Sequence, residues 1–571
     1  MSETALATTP PPPVPSAWAG AVRRGAWGWT ALALGCAALV GLPVVTVGLN
    51  LFAPSTELWR HLASTVLPGY IANSLWLMLG VGFGVVVGGV ASAWLVTMCR
   101  FPGSRTLEWA LLLPMAMPAY VVAYAYTGLL DVAGPVQSAL RTAFGWQSAA
   151  EYRFPEVRSL GGAIVVMSLV FYPYVYIMAR AAFLEQSVCV LEAARVLGRG
   201  PWRAFRQVAL PLARPAIAGG VALALMETLN DFGTVQYFAV DTFTTGIYRT
   251  WIGLGEPAMA AQLGALLMLF VLALLVMDRL SRRAARFHHT TGRYRSLPEL
   301  RLRGGKALLA LLFCLVPMAF GFAVPGGVLA WWAVEAGGSM LLGGEFWTLA
   351  ANTLTLATVT GLLAVALAVV LGYARRLHPS ALVQGTSRLA AMGYAIPGSV
   401  IAVGTLVPLA ALDHALSALL RDRFGWSGGM LLTGSVAALV YAYLVRFLAV
   451  SFNGVEAGLA KISPSMDAAA RTLGQRPAGA LRRVHLPILR GSLLSAALLV
   501  FVEVMKELPA TLIVRPFNFD TLATRTYTLA SDERLAEAGA PALAIVLVGL
   551  IPVMLLSRAI ARSRPGAAVL P

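Results

Sequence analysis

Charge is scarce in this chain. Of its 571 residues only 12% are Asp, Glu, Lys or Arg, about half the share of an ordinary soluble protein, while 58% are hydrophobic. Lysine is scarcer still: Lys306, Lys461 and Lys506 are the three present, and none ends a G-x-x-x-x-G-K-[ST] phosphate-binding loop. Cys36, Cys99, Cys189 and Cys314 are far apart and lack metal-type spacing. The six histidines form no His-x-x-x-His pair, and His288-His289 falls in a basic stretch. No fixed metal site and no cofactor are expected, and no nucleophile–base spacing supports an enzyme.

Long apolar runs are what the chain has instead. Ala31–Leu49 carries no charge and approaches the roughly 20 apolar residues that cross a bilayer. The reading is an all-α polytopic membrane protein with about 12 spans, near 27–50, 70–98, 107–130, 160–181, 213–231, 258–278, 307–333, 350–374, 384–411, 428–450, 490–508 and 540–557. The formal charge of +17 raises nucleic acid as a partner. The basic residues, however, gather in segments that fall on one side of these spans, which is the positive-inside bias of a membrane protein and not a nucleic-acid patch.

Residues 1–26 hold a Pro run at 10–13 and read as a disordered cytosolic tail; the long polar lead argues against a cleaved leader. A first transmembrane domain covers 27–278 and a second 307–557. Between them, 279–306 forms a cytosolic linker with nine basic residues against the single acid Glu299, suited to anionic lipid headgroups. Residues 558–571 form a second cytosolic tail. Segments 51–69, 131–159 and 232–257 are read as external, and twelve spans place both termini in the cytosol.

The two halves repeat each other. Leu-Glu-Ala-Ala-Arg-Val-Leu-Gly at 191–198 returns as Ala-Ala-Ala-Arg-Thr-Leu-Gly at 468–474, and thirteen steps separate Gly198 from Pro211 as they do Gly474 from Pro487. Asn73 and Asn352 are each followed by a proline forty-five residues on, Pro118 and Pro397. Glu227 recurs as Glu503 and Arg249 as Arg525, both at an offset of 276. Equal numbers of spans give the halves parallel orientation, which disfavours an inverted-repeat transporter.

The 191–211 stretch and its copy resemble the EAA loop of bacterial ABC importer membrane subunits. Two such loops, within 183–213 and 455–489, make the chain similar to a fused, two-half permease with the type I importer fold. Glu192, Ala193, Ala194, Gly198 and Pro211 match the loop in the first half. In the second, Asp467, Ala468, Ala469, Gly474 and Pro487 stand in the same stretch. There the family's glutamate is replaced by Ala468, with Asp467 one residue earlier, so the two loops are expected to be unequal. Glu227-Thr-Leu-Asn-Asp-Phe-Gly and Val504-Met-Lys-Glu-Leu-Pro-Ala-Thr-Leu resemble the ferric-iron permeases in particular. That resemblance implies two copies of a cytosolic ABC ATPase, a periplasmic substrate-binding protein, and ferric iron as cargo. Thiamine or another small cation or solute is the alternative within the class, and a proton-coupled secondary transporter is the alternative outside it.

The residues themselves point to a cation. Glu227 and Asp231 lie four apart in the fifth span, and Glu503 and Glu507 are their images. On a continuous helix each pair shares one face, and acids in a bilayer are costly unless they face a cavity or a partner. Two readings stay open: the four line a substrate pathway, or they pair with Lys506 or a nearby arginine at helix ends. Tyr120 and Tyr124, beside Pro118, are candidate gate residues, with an interfacial aromatic belt as the plain alternative.

Overall fold

The computed structural model describes residues 16–52, 57–185, 201–283, 300–336, 343–390, 392–425 and 430–562. They are helical almost throughout, since in lipid every backbone N–H and C=O must be satisfied within its own segment. The first half holds α1 (Ser16–Asn50), α2 (Leu67–Met98), α3 (Ser104–Ala110), α4 (Ala119–Leu130), α5 (Leu160–Glu185), α6 (Leu210–Asn230), α7 (Gly233–Tyr237), α8 (Phe243–Tyr248) and α9 (Pro257–Arg283). The second holds α10 (Gly305–Met318), α11 (Val324–Glu335), α12 (Gly344–Leu377), α13 (Ala381–Ala390), α14 (Gly398–Phe424) and α15 (Val436–Leu459). It continues with α16 (Pro464–Thr472), α17 (Leu486–Met505), α18 (Pro509–Val514), α19 (Leu522–Ser531) and α20 (Leu535–Arg562). Two residues of linker, Leu300–Arg301, pair in parallel with Cys99–Arg100 after α2.

Among the described residues eleven helices are long and apolar enough to span a bilayer. A twelfth span results if Ser104–Ala116 and Ala119–Phe144, bent by 91°, count as one. The bend falls at Pro118, whose extended backbone (ψ 137°) opens α4. Pro397 (ψ 142°) opens α14 in the same way. The spans read as continuous over 107–130 and 384–411 are therefore corrected: each main helix starts only after its proline, which lacks an N–H and suits a first turn. Residues 232–257, read as external, hold α7 and α8, where Val235, Ile247 and Phe243 are buried.

The chain divides into two compact units. One gathers Met1–Gly41, Gly361–Tyr394 and Phe447–Val500; the other gathers Leu42–Thr360, Ala395–Arg446 and Phe501–Pro571. Within each, the first helix of one half packs on the other half. In the smaller unit the Trp29 ring stands edge-on to Tyr373 at 5.1 Å. In the larger, α1 reaches α14 so closely that a Cβ on Gly404 would lie 2.5 Å from the Pro43 carbonyl oxygen. Reciprocally, Tyr126 Oη donates to the Phe320 carbonyl at 2.5 Å, and the Trp332 indole fills the space beside Gly128.

The repeat is visible in hydrogen bonds. Asn73 Nδ2 donates to the Asp241 carbonyl at 2.9 Å, and Asn352 Nδ2 to the Asp520 carbonyl at 3.1 Å. Thr242 and Thr245 make the capping box of α8, and Thr521 and Thr524 that of α19. The asparagines are 279 apart; the offset is 276 through the loop and fifth span, and three extra residues before α19 return it to 279 for the carbonyl partners and the capping boxes. The pairing of Arg249 with Arg525 is corrected accordingly: the structural image of Arg249 is Thr528 and that of Arg525 is Gly246.

Candidate functional site

The fifth span of each half ends in a helix break, and an acid sits at each break. Helix α6 stops at Asn230, and Asp231 turns to extended backbone (ψ 134°). Its Oδ1 accepts from the Thr234 and Val235 amides at 3.0 and 3.2 Å, and its Oδ2 from Thr234 Oγ1 at 2.9 Å. Helix α17 stops at Met505, and Glu507 repeats the arrangement. It accepts from the Ala510 and Thr511 amides at 3.2 and 3.1 Å and from Thr511 Oγ1 at 2.9 Å. Both acids cap the free N–H groups that open the following short helix. The expectation that each acid pair shares one helical face is thus corrected, because the second member lies past the end of its helix.

The two breaks differ in charge. Arg446 Nη1 donates to Glu507 Oε1 at 2.5 Å, with both side chains almost wholly buried. The residues of α5 that offsets of 276 and 279 bring opposite Arg446 are Val170 and Met167, both buried and apolar. Lys506 Nζ pairs with Glu503 Oε1 at 2.8 Å and also lies in the field of Glu227. Asn230, the image of Lys506, instead accepts from the Gly398 amide at 2.7 Å. Gly398 lies tight against the ion pair: a Cβ there would stand 2.2 Å from Arg446 Nη1 and 2.6 Å from Glu507 Oε1. Its image is Ala119.

Tyr120 and Tyr124 are buried beside this region, with ring centroids 5.7 Å apart. A Cβ on Gly233, in α7, would lie 2.6 Å from Tyr120 Cβ. Tyr124 meets the Tyr237 ring at 4.5 Å, and the Arg158 guanidinium lies 5.0 Å above Tyr237. Arg158 in turn approaches Asp131 at 3.5 Å and Glu533 at 3.8 Å. An aromatic column thus runs from an exposed ion cluster to the helix breaks.

Of the two loops, the described residues cover the second. Glu192, Ala193, Ala194 and Gly198 lie outside them, whereas Pro211 sits in the first turn of α6. In the second loop Asp467 lies in the first turn of α16, Ala468 and Ala469 are exposed, and Ala470 is buried. Gly474 adopts φ +75°, a left-handed turn that reverses the chain after the helix. Pro487 opens α17, preceded by a π-helical turn at Leu481–His485 that matches the one at Phe205–Ala209. Apolar side chains face outward from the loop: Leu473 is 78% exposed and Met466 44%.

Comparison with known proteins matches this architecture to a family. Residues 80–286 fit the profile of the binding-protein-dependent transport system inner membrane component. The molybdenum transport system permease protein ModB of Escherichia coli K12 is 30% identical over 201 residues, 34% of this chain and 84% of that protein. The chain belongs to this family of inner membrane permeases. The Fe(3+)-transport system permease protein FbpB 2 of Haemophilus influenzae is 27% identical over 530 residues, covering 91% of this chain and 96% of that protein. The ferric transport system permease protein FbpB of Actinobacillus pleuropneumoniae is 23% identical over 495 residues, 84% and 69% of the two chains.

The permease is therefore a multi-pass membrane subunit of a bacterial inner-membrane transport system. Its family works with an ABC ATPase and a substrate-binding protein. Sequence reasoning about this permease missed Arg446, Arg158 and Asn230 near the breaks, and Arg376 and His485 at the second loop. Each lies tens of residues or more from most of its partners, so no local pattern announces it.

Proposed function

We propose that the permease carries ferric iron, delivered by a periplasmic binding protein, into the cytoplasm. Similarity along nearly the whole of a Fe(3+)-transport relative supports this reading most directly. The residues add chemistry: Glu227, Asp231, Glu503 and Glu507 bring four carboxylates to the two helix breaks against the cations Lys506 and Arg446. Oxygen donors suit a hard cation, and acids already engaged by amides, hydroxyls or the two cations compete with it and hold it weakly enough to let it pass. Tyr120 and Tyr124 serve as the gate above them.

In this reading residues 27–278 and 307–557 form the two transmembrane domains, joined by the linker 279–306, with both termini in the cytosol. Two copies of the ATPase dock on the loops at 183–213 and 455–489. Glu192, Ala193, Ala194 and Gly198 contact one copy, and the exposed face around Ala468, Ala469 and Leu473 the other. ATP is hydrolysed in those partners. Membership of the family sets aside a proton-coupled mechanism, and thiamine or another small solute remains the alternative cargo.

The test is uptake by proteoliposomes holding the permease, its ATPase and its binding protein. Ferric iron should enter in an ATP-dependent manner while thiamine and molybdate do not. Glu227→Gln with Glu503→Gln removes two charges at constant size and should lower iron uptake about tenfold, a change on the order of 1.4 kcal/mol in the barrier. Parental uptake by an assembled double variant would overturn the role of the acids.

A further inference from the structure

We propose that Arg376, acting through Asp467, is the positioning residue of the second coupling loop. It ties α16 to the ends of α12 and α15 that share its unit. The proposal rests on the reading of 455–489 as an ATPase-coupling loop. Arg376 Nε donates to Asp467 Oδ2 at 2.9 Å, and Nη2 stands 2.7 Å from the same oxygen. Its Nη1 donates to the Leu459 carbonyl at the end of α15, at 2.8 Å, and Nη2 also donates to the Ile462 carbonyl at 2.8 Å. One planar guanidinium thus holds the last turn of a span, the turn that follows it and the first turn of the loop helix. A lysine has no fork with which to do this.

The other end of the loop is held by the same turn of α12. Tyr373 Oη donates to the Pro477 carbonyl at 2.7 Å, and its ring lies 5.3 Å from that of His485. His485 is fully buried, and its Nε2 donates to Asp467 Oδ1 at 2.7 Å. Both carboxylate oxygens of Asp467 are therefore engaged inside the protein. Asp467 does not point out to a partner, as a substitute for the missing glutamate would.

The three side-chain types of this cluster do not recur at the image positions of the first half. At the repeat offsets, Arg376 corresponds to Thr97, Asp467 to Leu191 and His485 to Ala209. The half that keeps the family's glutamate, Glu192, lacks this arginine, aspartate and histidine at the image positions, and the half with Ala468 in that place has them. The geometry points to a division of labour. The first loop keeps an acid with which to grip its ATPase, whereas the second presents an apolar face and is aimed from within.

The experiment uses the whole complex in proteoliposomes and reads iron uptake per ATP hydrolysed, together with the KM for ATP. Arg376→Gln should lower uptake per ATP about tenfold, within the range of typical coupling energies, while KM for ATP stays unchanged because ATP binds on the partner. Asp467→Asn should match it, and the double variant should be no worse than either single change. Arg376→Lys keeps the charge but loses the fork, and should recover only part of the loss. Leu473→Asp separates the two ideas. If it leaves coupling intact, the reading as a docking loop fails. If it uncouples while Arg376→Gln and Asp467→Asn perform like the parent, docking stands and the positioning role falls. Should Arg376→Gln fail to assemble, the near-isosteric Asp467→Asn decides alone, and parental uptake per ATP there overturns the proposal.

Discussion

The helix breaks after α6 and α17 are built on the same plan and bear different electrical loads. In each, an acid at the same repeat position caps the same two backbone amides. In the second half that acid also carries a buried arginine, and Lys506 stands where the first half has Asn230. Duplication supplied one backbone solution, and divergence of single side chains then placed a buried arginine on the capping acid of the second break, where Val170 and Met167 stand at the image positions in the first. The lesson is that capping and charge are separable. Asp231 and Glu507 are needed by the backbone in both halves, whereas Arg446 pairs with the acid of the second half, Glu507.

The sharpest way to break this comparison is Arg446→Met, which strands a buried carboxylate. It should destabilise the permease by about 3–5 kcal/mol, read as a loss of thermal stability in detergent. Arg446→Met with Glu507→Gln should recover most of that loss. If the single change is tolerated, the second break is not ion-paired in the working protein.

Gly398→Ala should cost about 1–3 kcal/mol, because the added methyl meets the ion pair and a packed neighbour yields little. Ala119→Gly, at the image position, should cost less than about 1 kcal/mol. Equal effects would dissolve the contrast between the halves. Asp231→Ala removes a cap without stranding a charge and should cost about 0.5–2 kcal/mol, with Asp231→Asn close to neutral in stability. The smallest effect is expected at the loops. Glu192→Ala should reduce substrate-stimulated ATP hydrolysis, while Ala468→Gly, at an exposed position, should change it less than about twofold, on the order of 0.4 kcal/mol. Matching losses would remove the functional asymmetry.

Much of this was legible in the sequence because its causes are local or periodic. Spans follow from uninterrupted apolar runs. The parallel repeat follows from fixed spacings such as Gly198 to Pro211 and Gly474 to Pro487. The acids themselves were visible, since a carboxylate within an apolar run stands out. Their orientation was not: i, i+4 spacing implies one face only on an unbroken helix, and both helices end before the second acid. A proline forty-five residues after each asparagine marked the repeat, yet not the 91° bend it introduces in the first half.

What sequence alone determined is that this is a membrane protein of two repeated halves, with Glu192 in one loop and Ala468 at its image in the other, because burial in lipid and duplication write themselves into composition and period. The tertiary structure decided which half each first helix packs on, where Arg446 and Arg376 find their acids, and that Asp467 turns inward. Those contacts join residues up to hundreds of positions apart. Their energy comes from shape and desolvation at the point of meeting, which no pattern along the chain encodes.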